Sequence, residues 1–303
     1  MAQAVSALMT RSATALAFVL STWLAGAAAP VMAQSAPGLR NPNVIVDYLE
    51  PRRPDDPRMA GYSQRVAAYE RYMAIYSRMK ERQVLEQFSQ FMAPLRLPKT
   101  LRVRTGECGE INAYYSGAQW TITICYEWVD FVEQSAPQRV SDEGVTREEA
   151  IIGGFLGVLL HEAGHAISDI LRLPVLGREE DSADEIAAFV MLQFGPDVAR
   201  TAIKGTFYTW LALSRRADAV YWDEHSSASQ RYANFLCIAY GADRETFNEL
   251  AQKWLTTDRR GNCEQEYQQA RNAFRKTVLP HVDQELMRQV QAMPVFRPGD
   301  GRW

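Results

Sequence analysis

The sequence predicts an α+β fold, with a small antiparallel β hairpin or sheet over a mainly helical body. Two observations carry that expectation. Strand-like alternation is confined to a stretch ending near residue 126, and from residue 147 onward the apolar positions follow helical spacing broken by turn residues. The composition agrees. The chain has 303 residues, 47% hydrophobic and 23% charged, with a net charge of −3. That is globular composition and excludes collagen, a coiled-coil rod and a fully disordered chain. The near-neutral balance argues against nucleic acid as the main partner, since phosphate binding needs clustered cations.

Taken in order, the chain begins with a segment outside the fold. Arg11 is the only charge before residue 39, the run Ala13 to Ala29 is apolar, and Val31-Met32-Ala33 puts small residues before Gln34. This is the pattern of a secretory signal peptide over residues 1–33, with cleavage near Ala33 and a periplasmic or secreted mature protein. No Cys follows the run, which excludes a lipid anchor. No later stretch reads as a membrane span, so no stable membrane insertion is expected after cleavage. Residues 34–60, with Pro37, Pro42, Pro51, Pro54 and Pro57, read as an extended arm, and residues 61–303 as a single domain.

Val66, Tyr69, Met73, Tyr76, Leu85 and Phe88 predict one helix over about 62–91, closed by Pro94 and Pro98. Residues 100–126 predict a short strand and then a hairpin around Ser116-Gly117. In that register Tyr115 faces Ala118, Ile111 faces Ile122, Ala113 faces Trp120 and Cys108 faces Cys125. Export favours disulfides, and sequence order favours Cys108–Cys125 with Cys237–Cys263. Neither pair has zinc-ribbon spacing. Thr146-Arg147-Glu148-Glu149 is a capping box that opens a long apolar helix over about 147–171. Leu173-Pro174-Val175-Leu176-Gly177 breaks it, and a helix over about 180–193 follows. Further helices are expected near 197–215, 226–240, 244–255 and 263–290.

The 147–171 helix carries His161-Glu162-Ala163-Gly164-His165. Two histidines at i and i+4 share a helix face and can bind one Zn²⁺, while Glu162 lies beside the metal and can take a proton from its water. With only 4 His in the chain, this HExxH arrangement is informative. A catalytic zinc needs a third protein ligand and an open position for water. Glu180 fits that role, with Glu179, Asp181 and Asp169 as competing carboxylates. Asp184, four residues after Glu180, can accept the free ring N–H of a ligand histidine. Trp120, Trp128, Trp210, Trp222 and Trp254 read as core or groove lining, and His281 as a surface or capping residue.

HExxH followed by Glu180-Asp181-Ser182-Ala183-Asp184 resembles the gluzincin clan of zinc peptidases. The Glu-x-x-Ala-Asp form is shared with the CAAX-protease and HtpX-like families. Asp223-Glu224-His225 and Arg231 resemble the His…Arg motif of the HtpX-like families, with Ser226 where they carry Pro. The resemblance implies a zincin-like fold, His225 stabilising the oxyanion and Arg231 positioning His225. Asn112-Ala113-Tyr114-Tyr115 resembles the edge strand on which thermolysin-type enzymes lay substrate, so Asn112 and Ala113 are candidate substrate-binding residues. From about residue 60 to 290 the chain resembles a secreted bacterial metallopeptidase family that joins these motifs with Cys-Gly-Glu-x-Asn-Ala and Cys-Tyr-Glu.

The sequence thus predicts an exported peptidase acting on a peptide or protein, with one catalytic Zn²⁺ on His161, His165 and Glu180 and with Glu162 as general base. Two alternatives remain open. One is a zinc-stabilised interaction protein without catalysis, which a closed site of four protein ligands would favour. The other is a zinc amidase acting on cell-wall peptides.

Overall fold

The computed structural model describes residues 39–55, 61–216 and 224–291. The expected signal peptide with its cleavage point at Ala33 lies outside the described residues, as do Trp222 and Asp223.

The described residues form an α+β structure, mostly helical, around one four-stranded mixed sheet of order β1-β2-β4-β3. β1 (Val44–Tyr48) runs parallel to β2 (Leu101–Gly106), with Val44 opposite Leu101. This strand lies inside the segment expected to be an arm without a core. It is pinned by buried Asn41, which donates to the carbonyls of Met92 and Leu95 at 2.6 and 2.7 Å. Pro42 and Pro51 bracket the strand and leave its ladder intact. The sheet is therefore larger than the expected hairpin, and only its β3–β4 pair is antiparallel.

β3 (Ala113–Ser116) and β4 (Thr121–Cys125) pair with Ala113 opposite Ile124 and Tyr115 opposite Ile122. The predicted facing of Tyr115 with Ala118 is incorrect. The turn takes four residues, 117–120, and ends on Trp120 with a left-handed φ of 45°. The two registers differ by an even number of residues. Such a shift returns every side chain to the same face, so apolar alternation does not separate them. The predicted disulfide forms nonetheless. Gly106 of β2 lies opposite Cys125, and Cys108 follows two residues later, so the bond closes across the parallel pair.

The expected 62–91 helix is two helices, α1 (Tyr62–Glu81) and α2 (Val84–Phe91), divided at Gln83 with φ 53°. α3 (Tyr126–Ser135) follows β4 directly and was not anticipated. Tyr126 to Val132 are all buried, Glu127 and Asp130 among them, so burial here does not follow the one-sided apolar spacing that marks a helix in sequence. α4 (Arg147–Ile170) begins with the predicted capping box of Thr146 and Glu149. Then come α5 (Glu179–Met191), α6 (Pro196–Ser214), α7 (Ala228–Ala242), α8 (Arg244–Trp254), α9 (Thr257–Thr277) and α10 (Gln284–Gln291). A 3-10 turn at Leu279–His281, around Pro280, splits the expected 263–290 helix. His281 sits in that turn, where its carbonyl accepts from the Arg96 amide at 2.8 Å.

α4 is the central element, packed against α3, α5, α6 and the β3–β4 hairpin. It is long and apolar enough by composition to cross a membrane, contrary to the expectation that no later stretch would be. Its apolar window is 94% buried inside the protein, so its composition is that of a core helix. A methyl placed on Gly153 would fall 2.5 Å from the Gly205 Cα, which shows how closely α4 and α6 cross. The second disulfide, Cys237–Cys263, ties α7 to α9. Two disulfides fit an extracytoplasmic protein.

Candidate metal centre

His161, Glu162 and His165 lie in the last turns of α4, and Glu180 and Asp184 in the first turns of α5. Gly164 brings the two helices together. A Cβ there would meet the Ala183 Cα and carbonyl oxygen at 2.9 Å. With no side chain at 164, α5 sits close enough for its carboxylates to reach both imidazoles.

Three imidazole nitrogens surround one carboxylate oxygen. Glu180 Oε2 is 3.1 Å from His161 Nε2, 3.4 Å from His165 Nε2 and 3.0 Å from His225 Nε2. The Nε2 atoms of His161 and His165 are 3.2 Å apart. The other ring nitrogens decide what this means. His161 Nδ1 is 2.8 Å from Asp184 Oδ1, and His165 Nδ1 is 3.1 Å from Glu179 Oε1. Each carboxylate accepts a hydrogen bond, so the proton of each neutral ring sits on Nδ1 and the lone pair on Nε2. Arg231 Nη2 also approaches His161 Nδ1, at 3.1 Å, but it is closer to Asp184 Oδ1 at 2.6 Å.

In their neutral form, in which they could hold a cation, His161 and His165 therefore point their Nε2 lone pairs toward each other and toward a carboxylate. Glu180 Oε2 is buried and makes no hydrogen bond. A cation relieves this crowding. Four donors held tetrahedrally at zinc bond lengths lie about 3.3 Å from one another, and the spacings here bracket that value. Two triplets share His161 and Glu180. One is completed by His165, and the other by His225, whose ligand atoms lie within 4.8 Å of one another. The residues present fit a bound divalent ion of the kind that imidazole and carboxylate ligate.

The acid–base behaviour has the same cause. Burial pulls the His165 imidazole down, but the Glu180 and Glu179 carboxylates outweigh it and push the group up to about 9. Burial would raise the Glu180 carboxyl, yet the surrounding imidazoles hold it far below the usual range. Glu162 is buried beside the cluster, and its carboxyl is raised chiefly by that burial. Asp184 is also buried, but Arg231 and His161 keep it below the ordinary value.

Arg231 was expected to position His225. Its contacts run instead to Asp184, at 2.7 and 2.6 Å, and its guanidinium lies 3.7 Å over the Trp210 ring. His225 was expected to face the oxyanion, and its Nε2 lies on Glu180. Asn112 is exposed, and its Oδ1 accepts from the Ala113 amide at 2.9 Å. Ala113 opens β3, which is one of the two edge strands of the sheet. An open cleft of about 640 Å³ runs from this edge past the end of α4, lined by Tyr115, Trp120, Asp169, Leu173 and Glu179 among others. Tyr115 donates to Asp169 at 2.7 Å and fixes β3 to α4.

Sequence reasoning missed the role of Arg178 and saw Asp181 only as a rival ligand. Arg178 donates to the Glu224 carbonyl at 2.8 Å and to Ser226 Oγ at 3.3 Å, and Ser226 donates to Asp181 at 2.6 Å. The departure from Pro at position 226 was the available signal.

No curated protein and no solved structure matches the chain. Residues 65–278 match a family described as "Putative metallopeptidase", a span that includes every residue of the cluster. A metal ion is implied by that description, and with more than two thirds of its length inside the match the chain belongs to this metallopeptidase family, DUF4344.

Proposed function

We propose that the protein is a zinc-dependent peptidase of gluzincin type with a zincin-like fold, exported from the cytoplasm and acting on peptide or protein substrates. The observation that supports it best is the convergence of the His161 and His165 Nε2 lone pairs on the buried, unbonded Glu180 Oε2. These three residues would hold the ion. When bound, it would supply Lewis-acid polarisation of the scissile carbonyl and of the attacking water.

The rest is done by the chain. Glu162, one residue from His161 on a buried turn of α4, accepts the proton of the attacking water as its oxygen bonds to the carbonyl carbon. It then returns that proton to the amine as the C–N bond breaks. Asp184, held by Arg231, orients His161. The free edge of β3, with Asn112 and Ala113 at its start, pairs with an extended substrate. The adjoining cleft receives side chains.

The test is zinc content and cleavage of a proteome-derived peptide pool, compared between wild type and Glu162→Gln. The wild type should bind one zinc and cleave, and the variant should bind zinc and not cleave. A Glu162→Gln protein as active as wild type would rule out this mechanism.

One observation favours a second reading. His225 Nε2 approaches Glu180 Oε2 as closely as His161 does, as in a closed metal centre that only stabilises an interaction protein. A zinc-loaded wild type that cleaves neither proteins nor cell-wall peptides would favour it. Cleavage of cell-wall peptides alone would favour an amidase.

A further inference from the structure

Resting on the metal reading above, we propose that His225 is a displaceable fourth protein ligand of the ion held by His161, His165 and Glu180. A latch from the N-terminus of α5, made by its N-cap Arg178 and by Asp181, keeps it in place.

Two geometric facts carry this. The first is proximity. His225 Nε2 is 3.0 Å from Glu180 Oε2, and His161, Glu180 and His225 place one donor atom each within 4.8 Å of one another. The second is how residue 225 is held. The carbonyl of Glu224 accepts from Arg178 Nη2 at 2.8 Å, on one side of it. On the other side, Ser226 Oγ accepts from Arg178 Nη1 at 3.3 Å and donates to Asp181 Oδ1 at 2.6 Å. Arg178 stands two residues before Glu180 and Asp181 one after it. The turn that presents the carboxylate ligand thus also grips both neighbours of His225. A proline at 226 has no hydroxyl and could not make the second half of this grip.

Displacement follows from burial. The side chains of His161 and His165 are 3% and 11% exposed on α4, whereas that of His225 is 48% exposed on the segment before α7. The latch bonds lie near the surface and compete with water. An incoming ligand can therefore lift His225 without disturbing the helices. The four-ligand arrangement then describes a resting state that substrate must open.

The experiment uses the full chain loaded with one equivalent of Zn²⁺ and counts imidazole ligands by X-ray absorption. The proposal expects three imidazoles in wild type and two in His225→Ala. Zinc affinity of that variant, from chelator competition, should fall at least about ten-fold. Ser226→Ala retains His225 but loosens its hold. Acetohydroxamate, which must displace His225, should bind this variant more tightly than wild type. Two imidazoles in a wild type that holds one zinc would overturn the proposal and leave the metal reading standing. A wild type that binds no zinc would overturn both. If His225→Ala does not fold, unchanged acetohydroxamate affinity in Ser226→Ala would overturn the latch on its own.

Discussion

Arg231 meets Asp184 side-on, with Nε 2.7 Å from Oδ2 and Nη2 2.6 Å from Oδ1, and both residues are buried. Removing one member of a buried, hydrogen-bonded ion pair strands the other's charge, which costs about 3–5 kcal/mol. Arg231→Ala should lose that much stability in urea unfolding. It should also weaken zinc binding by about ten-fold or more, because His161 loses its oriented carboxylate. A loss under about 1 kcal/mol would show that the pair is not what braces His161.

Gly164→Ala adds a methyl that would meet the Ala183 backbone at 2.9 Å. α5 must retreat, at a cost of about 1–3 kcal/mol, and Glu180 moves with it. Zinc affinity should therefore fall together with stability. Gly261→Ala, in α9 with nothing near its Cβ, is the control. It should be neutral or stabilising by up to about 1 kcal/mol. Equal effects at the two positions in thermal melts would refute the close-approach argument.

The Cys237–Cys263 bond closes a separation of 26 residues and joins α7 to α9. Replacing both cysteines with Ala should cost about 3–4 kcal/mol through the freedom regained by the unfolded chain. Denaturant unfolding measures this, and the thiol reductant that destabilises wild type should leave the variant unaffected by way of this bond.

Asp243 caps α8, accepting from the Thr246 amide at 3.0 Å and from its hydroxyl at 2.6 Å. These bonds hold its carboxyl below the usual 3.8. A depressed folded-state pKa means stability that is present above the unfolded value and lost as pH falls through the folded one. Asp243→Ala should cost about 1 kcal/mol at pH 7. The difference from wild type should shrink below about pH 4. A constant difference between pH 7 and pH 3 in urea titrations would contradict the assignment.

The metal cluster was legible where its members are close in sequence. The four-residue spacing of His161 and His165 sets a helix face, and the spacing of Glu180 and Asp184 sets another. The approach of His225 to Glu180 was not legible. The two are 45 residues apart by their numbers, and the contact depends on side-chain bonds of Arg178 and Ser226. Arg231 was singled out as a site residue, but its partner is Asp184 and not His225, since spacing along the chain does not say which neighbour a long side chain will choose. In the sheet, alternation gave the faces of β3 and β4 and left their register open, while the surrounding prolines disguised β1. The paired cysteines were read correctly from a wrong register, because the parallel β2–β4 ladder brings their backbones to the same place.

The donor set is spread along the chain in a fixed order, with His161 and His165 first, Glu180 and Asp184 next, and His225 and Arg231 last. A polypeptide that emerges N-terminus first therefore displays its helix of histidines well before the arginine that neutralises Asp184. Until that arginine arrives, Asp184 lacks the guanidinium that braces it against His161. The brace on the centre is thus completed only by the docking of α7, the last of its elements in chain order.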